Sequence, residues 1–388
     1  MNKFRFCEFF AGGGMARAGL GAEWECVFAN DYDPMKADVY RKNWGNAHFV
    51  HDDINLLASV VLPVDADMAW ASFPCQDLSL AGNAAGLGTD RHQTRSGAFW
   101  GFWRLMDELI RCGNGPKMIV LENVYGSLTA NGGRDFAMIC RCLALAGYNF
   151  GAVLLDAIHF VAQSRPRVFL VAVRSDIQIA ANLKFELPDA VWHPAAMRQA
   201  VGHLADVDYE KWFWLTPAYP VSKYKSLNEL IIDQPTDVKW HTCEETNRLL
   251  DMMSPLHLAK LARMKKTGHR QIGTVYKRTR PDGKGARRQR AELRDDGVAG
   301  CLRTPGGGSS RQIIIEVQGD SVRSRLISTR EAARLMGLPD SYALPNKYND
   351  AYHVVGDGVV VPVVKFLNES VLLPTLIAHY TEQLAVAA

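Results

Sequence analysis

Short apolar runs, each followed by a polar cluster or a turn, alternate with amphipathic stretches up to about residue 175. Such runs predict buried strands, and apolar residues at helical spacing predict the helices that cover them. Helices are predicted at residues 98–112 and 135–146. This alternation predicts an α/β fold with a doubly wound, mostly parallel sheet. The predicted strands lie at residues 3–10, 25–29, 47–50, 67–71, 117–121 and 168–173.

The pattern is lost after Ser175, where prolines interrupt a sequence rich in tryptophan. Order returns at residues 313–317 and 325–339, where Thr329 is predicted to cap a helix that Gly337 and Pro339 end. Four tryptophans predict the small core of a second domain, with a base-stacking surface as the alternative: Trp192, Trp212, Trp214 and Trp240.

Length and composition allow two core-forming regions. The chain has 388 residues, 48% of them hydrophobic, so it is long for one domain and too apolar for wholesale disorder. Its eight cysteines form no CxxC pair and no zinc-type spacing, so we predict no metal site and interpret Cys140 and Cys142 as packing residues in a reducing cytosol. Without a signal peptide or a run of eighteen apolar residues, we expect a soluble, cytoplasmic protein with no membrane partner.

Charge is concentrated in one segment. Residues 263–294 hold twelve Lys or Arg against Asp282 and Glu292, a local charge of +10, so the rest of the chain carries −7 of the net +3. Charge runs are often only solvated loops. Glycines and Tyr276 interrupt this one, however, and flexible loops that carry arginine suit phosphates and base edges. The predicted contacts to nucleic acid are Arg270, Lys277, Arg278, Arg280, Arg303, Ser309 and Arg311.

Three polar clusters lie where predicted strands begin or end. Cys75 follows the run 67–71 and Pro74, where a thiol can be partly solvated and become a thiolate that attacks carbon, although packing is the commoner role of cysteine. Glu122 and Asn123 follow the run 117–121. A third cluster precedes the run 168–173, and extended backbone would set its long side chains on one face: Gln163, Arg165 and Arg167. Neighbouring strand ends of an open α/β sheet line one crevice.

A glycine-rich turn follows the first predicted strand. Gly12, Gly13 and Gly14 lack the Gly-Lys-Ser/Thr of a phosphate-binding P-loop, but they let a ligand approach the backbone closely. Asp31, about 20 residues further along, is placed to accept hydrogen bonds from a ribose, and a nicotinamide site would look much the same. Alternatively, Asp31 is a turn residue and Asp53 a helix cap.

Phe73-Pro74-Cys75-Gln76, Glu122-Asn123-Val124 and Gln163-x-Arg165-x-Arg167, in this order, resemble the catalytic motifs of the C5-cytosine DNA methyltransferases. The resemblance covers both ends of the chain and fades between about Ser175 and Val298. It implies S-adenosylmethionine as cofactor, with Asp31 on the ribose, Tyr32 and Ile54 on the adenine and Asp53 on its amino group. Further cofactor contacts are implied for Phe10, Gly12, Gly14, Pro74 and Asp357.

The resemblance also implies the catalytic roles. Cys75 would add to carbon 6 of a flipped-out cytosine while Glu122 contacts N3 and the exocyclic amine. Arg165 would bind the base carbonyl and a phosphate, and Arg167 would brace the site. Asn123 and Gln163 complete the predicted catalytic set, and Gln76 is predicted to contact DNA. Residues 77–95 are predicted to form a mobile lid over the DNA.

The domain organisation expected from the resemblance is a catalytic and cofactor-binding domain at 1–178, a target-recognition domain at 179–322 and a C-terminal return at 323–388. Gly356-Asp357-Gly358 departs from the family's usual Gly-Asn-Ser/Ala, so we expect Asp357 to lower cofactor affinity relative to asparagine. The expected partners of this monomeric protein are double-stranded DNA, which would bring it to the nucleoid, and a cognate restriction endonuclease.

Three other functions fit parts of this sequence. An RNA cytosine-5 methyltransferase would keep the fold and change the substrate. A catalytically weak DNA-binding homologue would fit Asp357 but not an intact Cys75, Glu122 and Arg165. A Rossmann oxidoreductase would explain the glycines but leave those three residues without roles.

Overall fold

A computed structural model describes residues 3–74, 97–221, 224–281, 286–304 and 310–387. Two compact units divide the chain. The large unit comprises Met1–Leu155, Pro166–Tyr219 and Val363–Ala388, and the small unit comprises Asp156–Arg165 and Pro220–Pro362. The chain therefore returns to the large unit at its C-terminal end. These boundaries differ from those expected from the sequence, because residues 179–219 belong to the large unit and residues 323–362 to the small one.

Thirteen strands and thirteen α-helices are numbered in chain order within the described ranges. The strands are β1 Phe4–Phe9, β2 Trp24–Asp31, β3 Phe49–His51, β4 Met68–Ala71, β5 Met118–Val124, β6 Tyr148–Asp156, β7 Pro166–Arg174, β8 Lys184–Phe185, β9 Trp214–Leu215, β10 Gln271–Pro281, β11 Arg287–Arg294, β12 Ile313–Gln318 and β13 Ser321–Leu326. The helices are α1 Met15–Leu20, α2 Pro34–Trp44, α3 Gly97–Arg111, α4 Arg134–Leu145, α5 Ala195–Val201, α6 Asp206–Tyr209, α7 Leu227–Leu230, α8 Cys243–Asp251, α9 Pro255–Lys266, α10 Thr329–Leu335, α11 Tyr348–Asp357, α12 Val361–Leu367 and α13 Leu373–Ala387.

The large unit is built on a seven-stranded sheet of order β3-β2-β1-β4-β5-β7-β6. β3, β2, β1, β4 and β5 pair in parallel, whereas β7 runs antiparallel to β5. This confirms the predicted α/β class with a mostly parallel sheet. The carboxyl ends of β1 to β5 therefore meet at one edge, and the amino end of β7 lies at the same edge because its direction is reversed.

The predicted apolar runs form the core of the large unit. Phe102, Leu105, Leu109 and their neighbours on α3 are buried, as are Phe136, Ile139 and Leu143 on α4. Cys140 and Cys142 are buried in the same cluster, so the interpretation as packing residues is confirmed. The predicted second-domain core of tryptophans was wrong for three of its four members, because Trp192, Trp212 and Trp214 are buried in the large unit. There Trp192 stacks on Phe366, and Trp212 makes edge-to-face contacts with Phe150 and Trp214.

The C-terminal helices include the one described stretch with the length and mean hydropathy of a membrane span, Tyr348–Ala385. Half of its most apolar window is buried inside the protein. A π-helical turn at Asn368–Leu372 interrupts it. There the side chain of Asn368 accepts a hydrogen bond from the indole of Trp24 at 2.8 Å and donates one to Leu20 O at 2.9 Å. This buried amide joins the end of the chain to its first strand–helix unit.

The small unit holds a four-stranded antiparallel sheet of order β11-β10-β12-β13. Its core packs Val275, Leu293 and Ile315 against helix residues such as Leu249 and Leu261. Trp240 lies in this unit, where the guanidinium of Arg323 sits 3.9 Å from the ring centroid. The cap of α10 is Ser328 rather than Thr329, since the Ser328 hydroxyl accepts the Glu331 N–H at 3.2 Å.

Candidate active site

The edge where the parallel strands end gathers the predicted residues of the large unit. Phe10 and Gly12 follow β1, Asp31 ends β2 and Asp53 follows β3. Pro74 follows β4, where Cys75 and Gln76 lie outside the described residues. β5 runs further than predicted, so Glu122 and Asn123 belong to the strand itself. Strand pairing therefore fixes their backbone more firmly than a loop would. The predicted lid at 77–95 also lies outside the described residues.

The glycine-rich turn after β1 takes an unusual backbone path. Phe10, Gly12 and Gly14 have φ angles of 56°, 54° and 77°, in the left-handed region that non-glycine residues such as Phe10 rarely adopt. The Ala11 N–H donates to Asn30 O at 2.9 Å, and the Gly12 N–H donates to Asp31 Oδ2 at 2.8 Å. A methyl group placed on Gly12 would meet nothing within 4 Å. The turn therefore presents an open backbone face that a ligand can reach.

Polar and aromatic groups that suit a nucleoside surround this turn. The buried carboxylate of Asp31 also accepts the Asp33 N–H at 2.9 Å, so Asp31 does serve a turn besides binding Gly12. Burial raises the pKa of Asp31, against the opposing effects of Lys36 and of the amides of Asp33 and Gly12. Tyr32 is 68% exposed and offers a flat ring.

The third strand adds one exposed and one buried residue at this edge. The exposed carboxylate of Asp53 accepts the backbone and side-chain N–H groups of Asn55, both at 2.9 Å, in a turn rather than at the start of a helix. Ile54 is buried. An acidic residue, an exposed ring and an open glycine face together fit an adenosine-containing cofactor. Within the described ranges, no three His, Cys, Asp or Glu side chains are grouped to hold a metal ion.

Glu122 on β5 pairs with Arg167 on β7. The distance from Arg167 Nε to Glu122 Oε1 is 3.1 Å, and the two side chains are only 14% and 10% exposed. The pairing follows from the sheet, because Val124 lies opposite Arg167 and Glu122 opposite Phe169 in the antiparallel register. Asn123, which is buried, donates from Nδ2 to Phe73 O at 3.4 Å. That contact ties β5 to the residue just before Pro74 and Cys75.

Gln163 and Arg165 belong to the small unit, where both are buried. Gln163 donates to Leu335 O at 2.9 Å and accepts the Leu302 N–H at 3.0 Å. The guanidinium of Arg165 donates to three backbone carbonyls, Leu302 O at 2.7 Å, Gly356 O at 2.7 Å and Gly358 O at 2.8 Å. Arg165 thus fastens segments of its own unit together, and the substrate contact expected of it stays a prediction.

Asp357 ends α11 in the small unit. Its carboxylate accepts a hydrogen bond from the Thr304 hydroxyl and lies 3.0 Å from Nε2 of His353, one turn earlier on the helix. Both carboxylate oxygens therefore have partners within the small unit. The effect of Asp357 on cofactor affinity stays a prediction.

Comparison with known proteins decides the family. The family model described as C-5 cytosine-specific DNA methylase matches residues 4–372. The chain belongs to this family. The methylase is therefore an enzyme of the DNA (cytosine-5-)-methyltransferase class.

Curated relatives and solved structures agree with this assignment. The methylase is 27% identical over 371 residues to the type II methyltransferase M.HhaI of Haemophilus parahaemolyticus, covering 95% of this chain and 94% of the relative. It is 25% identical to M.MspI of a Moraxella species, covering 96% and 71%. The fold is similar to that of the Dnmt2 methyltransferase of S. pombe, with a TM-score of 0.60, 18% identity and coverage of 94% and 97%.

The basic segment of the methylase is a hairpin rather than the flexible loop predicted from its charge. β11 pairs along its whole length with residues 274–281 of β10, whereas residues 271–275 of β10 pair with β12. The rest of the hairpin extends beyond β12 as a two-stranded ribbon. In its register Arg278 lies opposite Arg290, and Arg280 lies opposite Arg288. Because side chains alternate between faces, these four arginines share one face, here called the arginine ribbon.

The remaining predicted DNA contacts have different surroundings. Arg270 is held by Asp233 at 2.7 Å and Glu316 at 2.8 Å, as a structural ion pair would be. Lys277 lies opposite Ala291, on the other face of the hairpin from the arginine ribbon. Arg303 lies 5.8 Å from the Tyr276 ring, and Arg311 donates to Asn349 at 2.6 Å. Ser309 lies outside the described residues. Arg288 and Arg290 were missed, because only the strand register shows which residues share a face with Arg278 and Arg280.

Proposed function

We propose that this methylase transfers a methyl group from S-adenosylmethionine to carbon 5 of a cytosine flipped out of a specific duplex DNA sequence, through a transient bond between Cys75 Sγ and carbon 6. The observation that carries the proposal is the Glu122–Arg167 pair. It sits at the same sheet edge as the open glycine turn, and Asn123 next to it binds the segment that leads to Cys75.

The residues suited to hold the cofactor are those at the ends of β1, β2 and β3. Asp31 would accept hydrogen bonds from the ribose, Tyr32 would cover the adenine, and the backbone at Gly12 would allow close approach. Asp53 keeps an exposed carboxylate for the adenine amino group. When bound there, S-adenosylmethionine supplies an electrophilic methyl group on a sulfonium. Ile54 is buried, so it would support the adenine site from below and would not offer an exposed surface for the ring to pack on.

Cytosine chemistry needs a nucleophile and an acid. The Cys75 thiolate would add to carbon 6. The electrons of the 5,6 double bond would shift toward N3, which would take a proton from the Glu122 carboxyl. The resulting enamine makes carbon 5 nucleophilic. After methylation, a base would remove the carbon 5 proton, and the electrons of that C–H bond would re-form the 5,6 double bond as the thiolate leaves. N3 would return its proton to the Glu122 carboxylate. The base must be out of the stacked duplex for these groups to reach it.

Arg167 fits the base-contacting role better than Arg165 does. Its guanidinium lies against Glu122, the proposed acid, whereas that of Arg165 is buried and binds backbone carbonyls. Arg167 would therefore orient Glu122 and contact the base carbonyl. Arg165 and Gln163 would support the catalytic motif by holding their own unit together.

The arginine ribbon is the surface best suited to the DNA. Like charges that face each other across two strands destabilise a hairpin, and a line of phosphates would relieve the repulsion. Arginine also pairs bidentately with guanine in the major groove. The relatives' names as type II methyltransferases support a modification role beside a cognate restriction endonuclease. We further propose that the protein acts as a monomer in the cytoplasm.

Transfer of labelled methyl groups tests the proposal. We expect the wild-type protein to label duplex DNA and not tRNA, and the Cys75→Ser variant to label neither. Bisulfite sequencing of a plasmid from expressing cells should then show protection at cytosines of one sequence. Labelling of tRNA alone would favour the RNA enzyme, and specific DNA binding without any transfer would favour the inactive homologue.

A further inference from the structure

Trp44, the last residue of α2, contacts the glycine-rich turn. Its indole Nε1 donates a hydrogen bond to Gly13 O at 2.9 Å. The other described hydrogen bonds that tie this turn to the sheet come from β2, through Asn30 O and Asp31 Oδ2. The indole of Trp44 therefore binds the turn from α2, on the helical side of the sheet.

The turn needs such contacts because its backbone is strained. Phe10 has a φ angle of 56°, which costs free energy for a residue with a side chain and persists only where the surroundings enforce it. Fixing the Gly13 carbonyl fixes the peptide plane between Gly13 and Gly14, where φ is 77°. The conformation that leaves Gly12 open thus depends on groups on both sides of the turn.

Trp44 itself is held in one position. A methyl group on Gly14 would lie 2.3 Å from Nε1 of Trp44, so the indole packs directly against the turn. The guanidinium carbon of Arg17 lies over the Trp44 ring, 4.8 Å from its centroid. Arg17 is in turn anchored by His48 Nε2 at 2.6 Å and by the Tyr40 hydroxyl at 3.1 Å. The N–H of Trp44 is therefore aimed at Gly13 by fixed neighbours.

We infer that Trp44 is a positioning residue for the cofactor site, whose indole N–H holds the Gly13 carbonyl so that the open face of Gly12 stays available to S-adenosylmethionine. This inference rests on the proposed function. It assigns Trp44 a role that packing alone would not give it. Loss of the N–H should weaken cofactor binding even when an aromatic ring remains.

Two substitutions separate the hydrogen bond from the packing. Trp44→Phe keeps a ring and removes the donor. Trp44→His is smaller, but its Nε2–H stands at the same number of bonds from the backbone as the indole N–H. Titration calorimetry with S-adenosylmethionine, and separately with the product S-adenosylhomocysteine, should show about 3- to 10-fold weaker binding for Trp44→Phe, the effect of one hydrogen bond. We expect Trp44→His to bind within about twofold of wild type, and Trp44→Phe to raise KM for the cofactor with kcat almost unchanged.

Trp24→Phe is the matched control. It also removes one indole N–H bond in the large unit, the one to Asn368 at 2.8 Å, but away from the turn. It should lower the melting temperature without weakening cofactor binding, and melting curves of all three variants establish that folded proteins are compared. Wild-type affinity in Trp44→Phe, equal loss in Trp44→His, or equal loss in Trp24→Phe would overturn the inference. Failure of the wild-type protein to bind either compound would instead reject the proposed function.

Discussion

Two charged regions of the molecule differ in how their charges are paired: the proposed catalytic edge, where the parallel strands of the large unit end, and the arginine ribbon of the small unit. At the edge, Glu122 and Arg167 pair at 3.1 Å with little exposure to water, and the strand register brings them together. On the ribbon, Arg278 faces Arg290 and Arg280 faces Arg288. Among the described residues of the hairpin, the one acid on that face, Glu292, is shared between Arg278 and Arg280 at 3.3 and 2.6 Å. The charged pair at the edge is satisfied within the folded chain, whereas the described residues of the ribbon place four arginines and one glutamate on one face.

This difference corresponds to two proposed functions: the edge holds catalytic groups in fixed positions, and the ribbon binds DNA by its charge. A catalytic group acts best when the fold has already fixed it, because no reorganisation is then needed during the reaction. A surface that binds a polyanion gains from charges that are not neutralised internally, since they displace counterions from the DNA. Changes at the edge should therefore alter the chemical step, and changes on the ribbon should alter affinity and its dependence on salt.

The largest effect is expected from Glu122→Gln, which keeps the shape of the side chain and removes its proton-donating acid. Single-turnover methyl transfer should slow by about 10²- to 10⁴-fold, with DNA affinity changed only a few-fold. Glu292→Gln is the matched control, because Glu292 is also a carboxylate paired with arginine but lies on the ribbon. It should leave the chemical step unchanged. Equal slowing in both variants would contradict the assignment of Glu122.

Arg165→Met and Arg167→Met should fail in different ways. Arg165→Met leaves three backbone carbonyls without their buried guanidinium donor, so we expect the free energy of unfolding to fall by roughly 3 to 5 kcal/mol. Arg167→Met should lower the transfer rate by about 10²-fold or more at a much smaller cost in stability. Denaturant unfolding and single-turnover assays on the same preparations compare the two. A more severe loss of stability in Arg167→Met would reverse our assignment of their roles.

A third prediction concerns Glu8, a fully buried carboxyl on β1 beneath the glycine turn. Burial is the main cause that raises its pKa to about 8, and the Arg17 N–H bond opposes it. An acid whose folded pKa is raised stabilises the fold at low pH and loses that contribution as pH rises from about 4.5 to about 8. Relative to Glu8→Gln, the wild-type protein should therefore lose roughly 2 kcal/mol of unfolding free energy between pH 6 and pH 8. Parallel curves for the two proteins would show that Glu8 does not titrate this way.

The smallest effect is expected on the ribbon. Arg278→Ala combined with Arg290→Ala should weaken binding to duplex DNA about tenfold and reduce the salt slope by about 0.9 for each phosphate that the protein no longer neutralises. Stability should stay constant or rise by a few tenths of a kcal/mol, because a like-charge pair is removed. Arg294→Ala on the same strand, where Arg294 pairs with Asp296 at 2.7 Å, is the control and should change neither. An unchanged salt slope in the double variant would place the DNA elsewhere.

Local pattern was enough to predict six of the seven strands of the sheet and the residues at its edge, but not β6. The runs around Phe6, Phe28 and Met68 are apolar because both faces of a parallel sheet are covered, and parallel strands bring their polar ends together without any knowledge of side-chain contacts. The same reasoning placed Asp31 beside the glycine turn, where it binds the Gly12 N–H. Burial of Cys140 and Cys142 followed from their place in an amphipathic helix.

Long-range partners could not be predicted in this way. The roles of Arg165 and Arg167 depend on which carbonyls and carboxylates reach them, and those of Arg165 lie more than a hundred residues away in the chain. The stretch after Ser175 has no clear periodicity. Nothing in the local sequence therefore indicated that three of its tryptophans would be buried in the core of the large unit: Trp192, Trp212 and Trp214. The arginine ribbon could be recognised only from the strand register, which shows that its four arginines share one face. The lysines and arginines of residues 263–294 predicted only that this segment is positively charged.

Formation of a covalent adduct with duplex DNA that contains 5-fluorocytosine at the methylated site tests the central claim most directly. The fluorine blocks removal of the group at carbon 5, so a cysteine that has added to carbon 6 stays bound to the DNA. With S-adenosylmethionine present, we predict a denaturation-resistant one-to-one complex for the wild-type protein, with the crosslink mapped to Cys75, and none for Cys75→Ser. A Cys75→Ser protein that still forms the complex, or a crosslink mapped to another residue, would contradict the account.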